Sequence, residues 1–231
     1  MIVCVYALIT PSRLPRRVKG VAGEPLRAMT VDGIVAVVGE VRRPPAASTR
    51  NLRRFASIIE SIAGGASAIL PARFGSTFTD VTELMLVLRS RRGSIRERLR
   101  AVRGRAQMTI RLVSESESGD ASCASQSQVT PRARVRLEHN PTQGTRYLQE
   151  QLAQMRTARE IPELAPVRAA VQRLVREERV ERRRSIATVH HLIPRAAAGR
   201  YGAAVARTAA ENGVRLTVSG PWAPYAFAEN W

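Results

Sequence analysis

The chain has 231 residues, 44% of them apolar, and carries 37 Lys and Arg against 19 Asp and Glu. That length suits one large domain or two small ones with a real core, and no run approaches the roughly 18 apolar residues of a membrane span. The net charge of +18 admits an anionic partner, but Lys19 is the only lysine and aromatic residues are few, so stacking platforms are scarce and sequence-specific nucleic-acid recognition does not follow.

Taken in order, Ile2 to Ile9 reads as a strand, rich in β-branched and aromatic residues, with Cys4 as a small core residue. Arg13, Arg16, Arg17 and Lys19 follow this apolar opening instead of preceding it, the reverse of a signal peptide, so a cytoplasmic chain is expected. Cys4 and Cys123 then stay reduced, and no metal-ligand spacing surrounds them. Leu26 to Thr30 and Gly33 to Val41 form a hairpin turning at Asp32-Gly33. Ser48 opens a helix with Leu52, Phe55, Ile58, Ile59 and Ile62 on one face, stopped by Gly64-Gly65.

An apolar run from Ala66 to Leu70 follows, suited to a buried strand, and Pro71 ends regular pairing because it has no N–H. Arg73 sits beside Phe74, which predicts a half-covered guanidinium. Gly75 lets the chain turn sharply before Phe78. Two readings stand: a strand-end turn with a snorkelling arginine, or a recognition surface at the rim of a sheet.

Asp80 with Glu83 marks a helix start, and Val81, Leu84, Met85 and Leu88 continue its face. Ser94 with Glu97 repeats the capping pattern, so a break is expected at Gly93 before Ile95, Leu99 and Val102. The arginines from Arg89 to Arg105 surround this stripe, as a solvated basic face or as a groove for phosphate or an acidic partner.

Ala106 to Val113 reads as a strand with Met108, Ile110 and Leu112 on one side. Ser114 to Gln128 lacks large apolar residues and is expected to be a mobile insertion. Arg132 to Leu137 is a short strand or leads straight into a helix from Gly144 that carries Tyr147, Leu148, Leu152 and Met155. After a break at Ile161-Pro162, Leu164, Val167, Val171 and Leu174 resume helical spacing and run into Arg176-Glu177-Glu178-Arg179, expected to be a solvated helix. Ser185 to Pro194 is a strand that points His190 and His191 to opposite faces, one buried and one exposed. Pro194 to Asn212 is a helix with Tyr201, Val205 and Ala209 inward, and Val214 to Val218 is the last strand.

The expected fold is α+β with two domains. Residues 1–104 form a mixed α+β domain. Residues 105–231 form a ferredoxin-like domain with a mobile segment near 114–130. No nucleophile elbow, phosphate-cradling loop or metal cluster is present, and His139, His190 and His191 imply no catalytic base. The chain is therefore read as a non-enzyme without cofactor. Rigid turns carrying Phe74, Phe78, Trp222 and Tyr225 offer restrained apolar anchors for binding; alternatively Trp222 plugs the bottom of the second domain.

Leu70-Pro71-Ala72-Arg73-Phe74-Gly75 resembles the L-P-x-R-F-G segment of the gas vesicle protein L/F family, accessory proteins of gas vesicle assembly. Ser219-Gly220-Pro221-Trp222-Ala223-Pro224-Tyr225-Ala226-Phe227 is similar to its G-P-W-P-P-Y-x-F ending. Val5-Tyr6-Ala7-Leu8, Gly104-Arg105-Ala106-Gln107-Met108 and Gly144-Thr145-Arg146-Tyr147-Leu148 are weaker echoes in the same order. The resemblance implies a two-domain α+β protein that associates with the hydrophobic gas vesicle shell protein and with other accessory proteins, as a chaperone or a minor vesicle component. The expected contact residues are Pro71, Arg73, Phe74, Gly75, Phe78, Trp222, Pro224 and Tyr225. Ala223 stands where a second proline is usual, Gln107 replaces a common acid, and the strong positive charge is unusual for the family. The rival reading is a basic protein holding nucleic-acid backbone unspecifically through Arg89 to Arg105. No pattern in the sequence sets the oligomeric state.

Overall fold

The computed structural model describes residues 1–11, 18–113, 161–183 and 186–228. Cys123, His139, the polar segment near 114–130, the short strand at Arg132 to Leu137 and the helical face from Tyr147 to Met155 lie outside them.

The first sheet is built around β1 (Ile2–Ile9), whose residues from Val3 to Ile9 are all buried. Successive strand residues point to opposite faces, so burial of all seven requires cover on both sides. β2 (Leu26–Val31) and β3 (Ile34–Val41) form the expected hairpin, with Asp32 and Gly33 both at positive φ. The strand order is β2-β3-β1-β4, with β4 (Ile69–Pro71) and β5 (Thr77–Phe78) both on the free side of β1.

Helix α1 (Thr49–Gly65) is capped by Ser48, whose Oγ accepts from the Asn51 N–H at 3.2 Å. It buries Phe55, Ile58, Ile59, Ile62 and Ala63. Leu52, expected on that face, is 47% exposed because the stripe narrows in the first turn. Helix α2 (Val81–Ser90) starts on the Asp80 cap, and Glu83 reaches back to the Thr79 N–H and hydroxyl at 2.7 Å each. The break before α3 (Arg92–Val102) falls at Arg91, not Gly93. Ser94 lies inside α3 and donates to the Arg91 carbonyl, a use of the hydroxyl that competes with capping. Ile95, Leu99 and Val102 are buried as expected.

The second sheet has the order β7-β8-β6-β9, antiparallel throughout. It comprises β6 (Arg105–Val113), β7 (Glu177–Arg183), β8 (Ile186–Pro194) and β9 (Leu216–Trp222). Helices α4 (Ala165–Val171) and α5 (Ala198–Glu211) bury Val167, Val171, Tyr201 and Val205 against Met108, Ile110, Leu112, Val189 and Ile193. The Glu177 to Arg183 stretch is a strand and not the solvated helix its charges suggest. Pairing with β8 satisfies its backbone, and alternation turns Glu178 toward His191 while Arg179 ion-pairs with Glu177 on the other face. Strand β9 also runs four residues past Val218, through Gly220 and Pro221.

The two cores meet at the C-terminus. After β9 the chain crosses back, and Ala223, Phe227 and Ala228, with Leu192 of β8, are buried in the first core.

Candidate functional site

The stretch from Pro71 to Phe78 does not turn away from the sheet. Ala7 pairs with Pro71 and Cys4 with Thr77, so β1 advances three residues while the edge advances six. The surplus bulges out as an arch. The Ala72 N–H donates to the Tyr6 carbonyl at 2.8 Å, the Ser76 N–H to the Arg73 carbonyl at 3.1 Å, and the Val5 N–H to the Ser76 carbonyl at 2.9 Å. Gly75 tops the arch at φ +84°, a conformation that an L side chain resists. Pro71 has no N–H to offer a further strand.

Phe74 turns inward from the arch. Its ring meets Phe55 edge-on at 5.5 Å, and Phe55 stacks on Tyr6 at 5.4 Å. These contacts hold the arch from below. Arg73, expected to be half covered, is exposed, because its neighbours pack inward while the arch lifts it clear.

The tail Ala223 to Ala228 approaches the foot of this arch. The Ala223 N–H donates to Glu60 of α1 at 3.0 Å, a bond that a proline there could not make. The Ala226 N–H donates to the Gln107 Oε1 at 2.8 Å. Phe227 is buried, with the Arg179 guanidinium 5.2 Å from its ring centroid. An open groove of about 330 Å³ results between arch and tail, lined by Pro71, Arg73, Gly75, Ser76, Thr77, Phe78 and Ala228.

Of the eight expected contact residues, Pro71, Arg73, Gly75 and Phe78 line this groove. Phe74 faces inward and packs on Phe55, and Pro224 is buried. Trp222 and Tyr225 are 44% and 38% exposed and lie outside the groove lining. Partial burial, then the Glu60 carboxylate, push the Tyr225 phenol above its ordinary value. Sequence reading missed Glu60 and Ala228, and noted Gln107 only as a departure from the family pattern. Glu60 left a signal of its own, as a solitary acid amid Ile58, Ile59 and Ile62.

A second cluster lies behind the other sheet. His191, 1% exposed, meets the Tyr201 hydroxyl through Nδ1 at 2.6 Å and the Glu178 Oε2 through Nε2 at 2.7 Å. Glu178 is forked by Arg168 at 2.9 and 3.1 Å. An acceptor carboxylate requires Nε2 to carry a proton, and Nδ1 completes the hydrogen-bonded chain to the Tyr201 hydroxyl. One of the two adjacent histidines is expected to be exposed, but His190 is also largely covered and shares its Nδ1 with Gln107 and Thr109 at 3.1 Å each. This network ties β7, β8, α4 and α5 together. Among the described residues no group of three metal-ligating side chains occurs, and no helix is long and apolar enough to cross a membrane.

The arginines of α3 are mostly solvent-facing, while Arg96 donates to the Asp32 carbonyl and Arg105 to the Ala101 carbonyl. That is the arrangement of a solvated face with local ties.

Fold and site together describe an α+β protein in which two proline-bearing motifs, far apart in the chain, are brought into contact beside an open groove that the first of them lines. The chain belongs to the gas vesicle synthesis protein GvpL/GvpF family, whose model matches residues 3–229. Among solved structures it is similar to the gas vesicle protein GvpF of Anabaena sp. PCC7120, at 15% identity and TM-score 0.71, covering 100% of this chain and 99% of that one. GvpF of Microcystis aeruginosa is similar at 16% identity and TM-score 0.71, covering 99% of each chain. No curated protein sequence matches the chain. None of these comparisons supports the nucleic-acid reading.

Proposed function

We propose that this chain is an accessory protein of gas vesicle assembly, located in the cytoplasm or on the vesicle, that binds the hydrophobic shell protein at the groove between arch and tail. The observation that carries the reading is a groove that the first family-like motif forms with Ala228, the residue next after the second motif, in a chain of this family. Pro71, Phe78 and Ala228 are held by the sheet and the tail before any partner arrives, so little order is lost on contact. Seating one apolar side chain there is worth about 1.5–3 kcal/mol. The net charge of +18 keeps a complex with an apolar client dispersed. The chain acts without catalysis and without a cofactor, alone or with other accessory proteins.

In this reading the chain has two domains meeting near Gly104, and the second is ferredoxin-like: its strand order and its helices between β6 and β7 and between β8 and β9 support that arrangement. Co-expression with the shell protein encoded nearest to this chain, followed by co-purification in high salt, tests the function. Retention of the shell protein that is lost in Arg73→Ala and Phe78→Ala, with circular dichroism unchanged, is the expected result. Retention equal in all variants moves the site elsewhere, and no retention of the shell protein by the unaltered chain overturns the function.

A further inference from the structure

The two sheets have four outer edges, and three are blunted. β2 carries Arg27, ion-paired with Glu40, and lies against α2. The β4–β5 edge is broken by Pro71 and the arch. β7 is charged at every position but Val180. These are the devices by which folded proteins keep edge strands from pairing with other chains. β9 ends in a bulge and Pro221, but Leu216 to Ser219 carry no charge and no break in register, and none of the described residues pairs with their outer side.

We propose that the outer edge of β9 is a docking site for an extended acidic segment of another protein, which adds to the second sheet as a fifth strand. The chemistry of the two faces selects this partner. Leu216 and Val218 are partly buried against the second core, so residues of an added strand on that face cover them and need to be apolar. Thr217 and Ser219 point to the other face, where Arg111 stands directly opposite Thr217 and is exposed. Residues of the added strand on that face lie two strand spacings from Arg111, about 10 Å, a gap that an extended arginine reaching over Thr217 and an acidic side chain span together, which favours glutamate or aspartate. The complementary segment thus alternates apolar and acidic residues. A second copy of this chain is the poorer occupant, because each copy brings a net +18 to the contact.

The test uses the full chain and a fluorescent synthetic peptide alternating valine and glutamate, read by anisotropy. Three controls accompany it: a valine–lysine peptide, and the valine–glutamate peptide N-methylated on one or on the other set of alternate amides. An added strand turns only one set of its N–H groups to β9, so one methylated peptide binds like the parent and the other does not. Arg111→Glu weakens the acidic peptide by about tenfold and improves the lysine peptide. Absence of binding, equal binding of both methylated peptides, or a concentration-dependent dimer of the chain that excludes the peptide overturns the proposal.

Discussion

Glu178, hydrogen-bonded to His191, and the neighbouring His190 answer to acid by different routes. The His191 hydrogen bond, then Arg168, hold the Glu178 carboxyl below the usual carboxylate range against the opposing pull of burial. A carboxyl depressed in the fold binds fewer protons than in the unfolded chain, so its stabilisation is complete above an ordinary value of about 4.3 and fades as pH falls further. Burial holds His190 below the ordinary imidazole value of about 6.5, so its contribution is complete above that value and declines as pH drops through the folded one. Urea unfolding across pH is expected to lose stability in two steps on acidification. His190→Asn removes the step that begins near neutrality, and Glu178→Gln removes the more acidic one. Gly220 is a second point of sensitivity: its φ is +126°, and a Cβ there would lie 2.7 Å from the Gln107 carbonyl oxygen. Gly220→Ala is expected to lower the unfolding free energy by about 1–3 kcal/mol.

At the level of elements, α1 makes the clearest contrast. Ile59 is fully buried and Leu52 is 47% exposed, although both fit one helical stripe. Ile59→Ala is expected to cost about 2–5 kcal/mol, whereas Leu52→Ala stays within about 0.5 kcal/mol in the same denaturant titration. The stripe in α3 and the hairpin at Asp32-Gly33 were legible because periodicity and turn chemistry are local. The β7 strand was not. Its charges suit a helix by themselves, and only the β8 partner and the buried His191 turn them into alternating faces. Gly93 misled for the opposite reason: α3 accommodates it at the modest cost of glycine in a helix, while the backbone departs from helical angles at Arg91.

For the molecule as a whole, the tail is the tie. Phe227 belongs by sequence to the second half yet is buried in the first core, beneath Arg179 of β7. Phe227→Ala is therefore expected to cost about 3–5 kcal/mol and to loosen both halves together. Tryptophan fluorescence and far-ultraviolet circular dichroism should give coincident transitions in the unaltered chain and separate ones in the variant. Coincidence in both would show that the tail does not couple the cores.

The residue pattern alone determined the α+β class, most of the strands and helices, and the two proline-bearing motifs that resemble the family, because each rests on spacing within a few residues. Tertiary structure decided the rest. It made an arch of what reads as a turn, since the edge strand resumes pairing with β1 beyond Gly75. It set Ala228 against Pro71 and Phe78, residues from the opposite half of the chain, because Glu60 and Gln107 capture the tail's amides. It left Trp222 on the surface and drew Phe227 inward, a choice made by which side of the tail meets the first core.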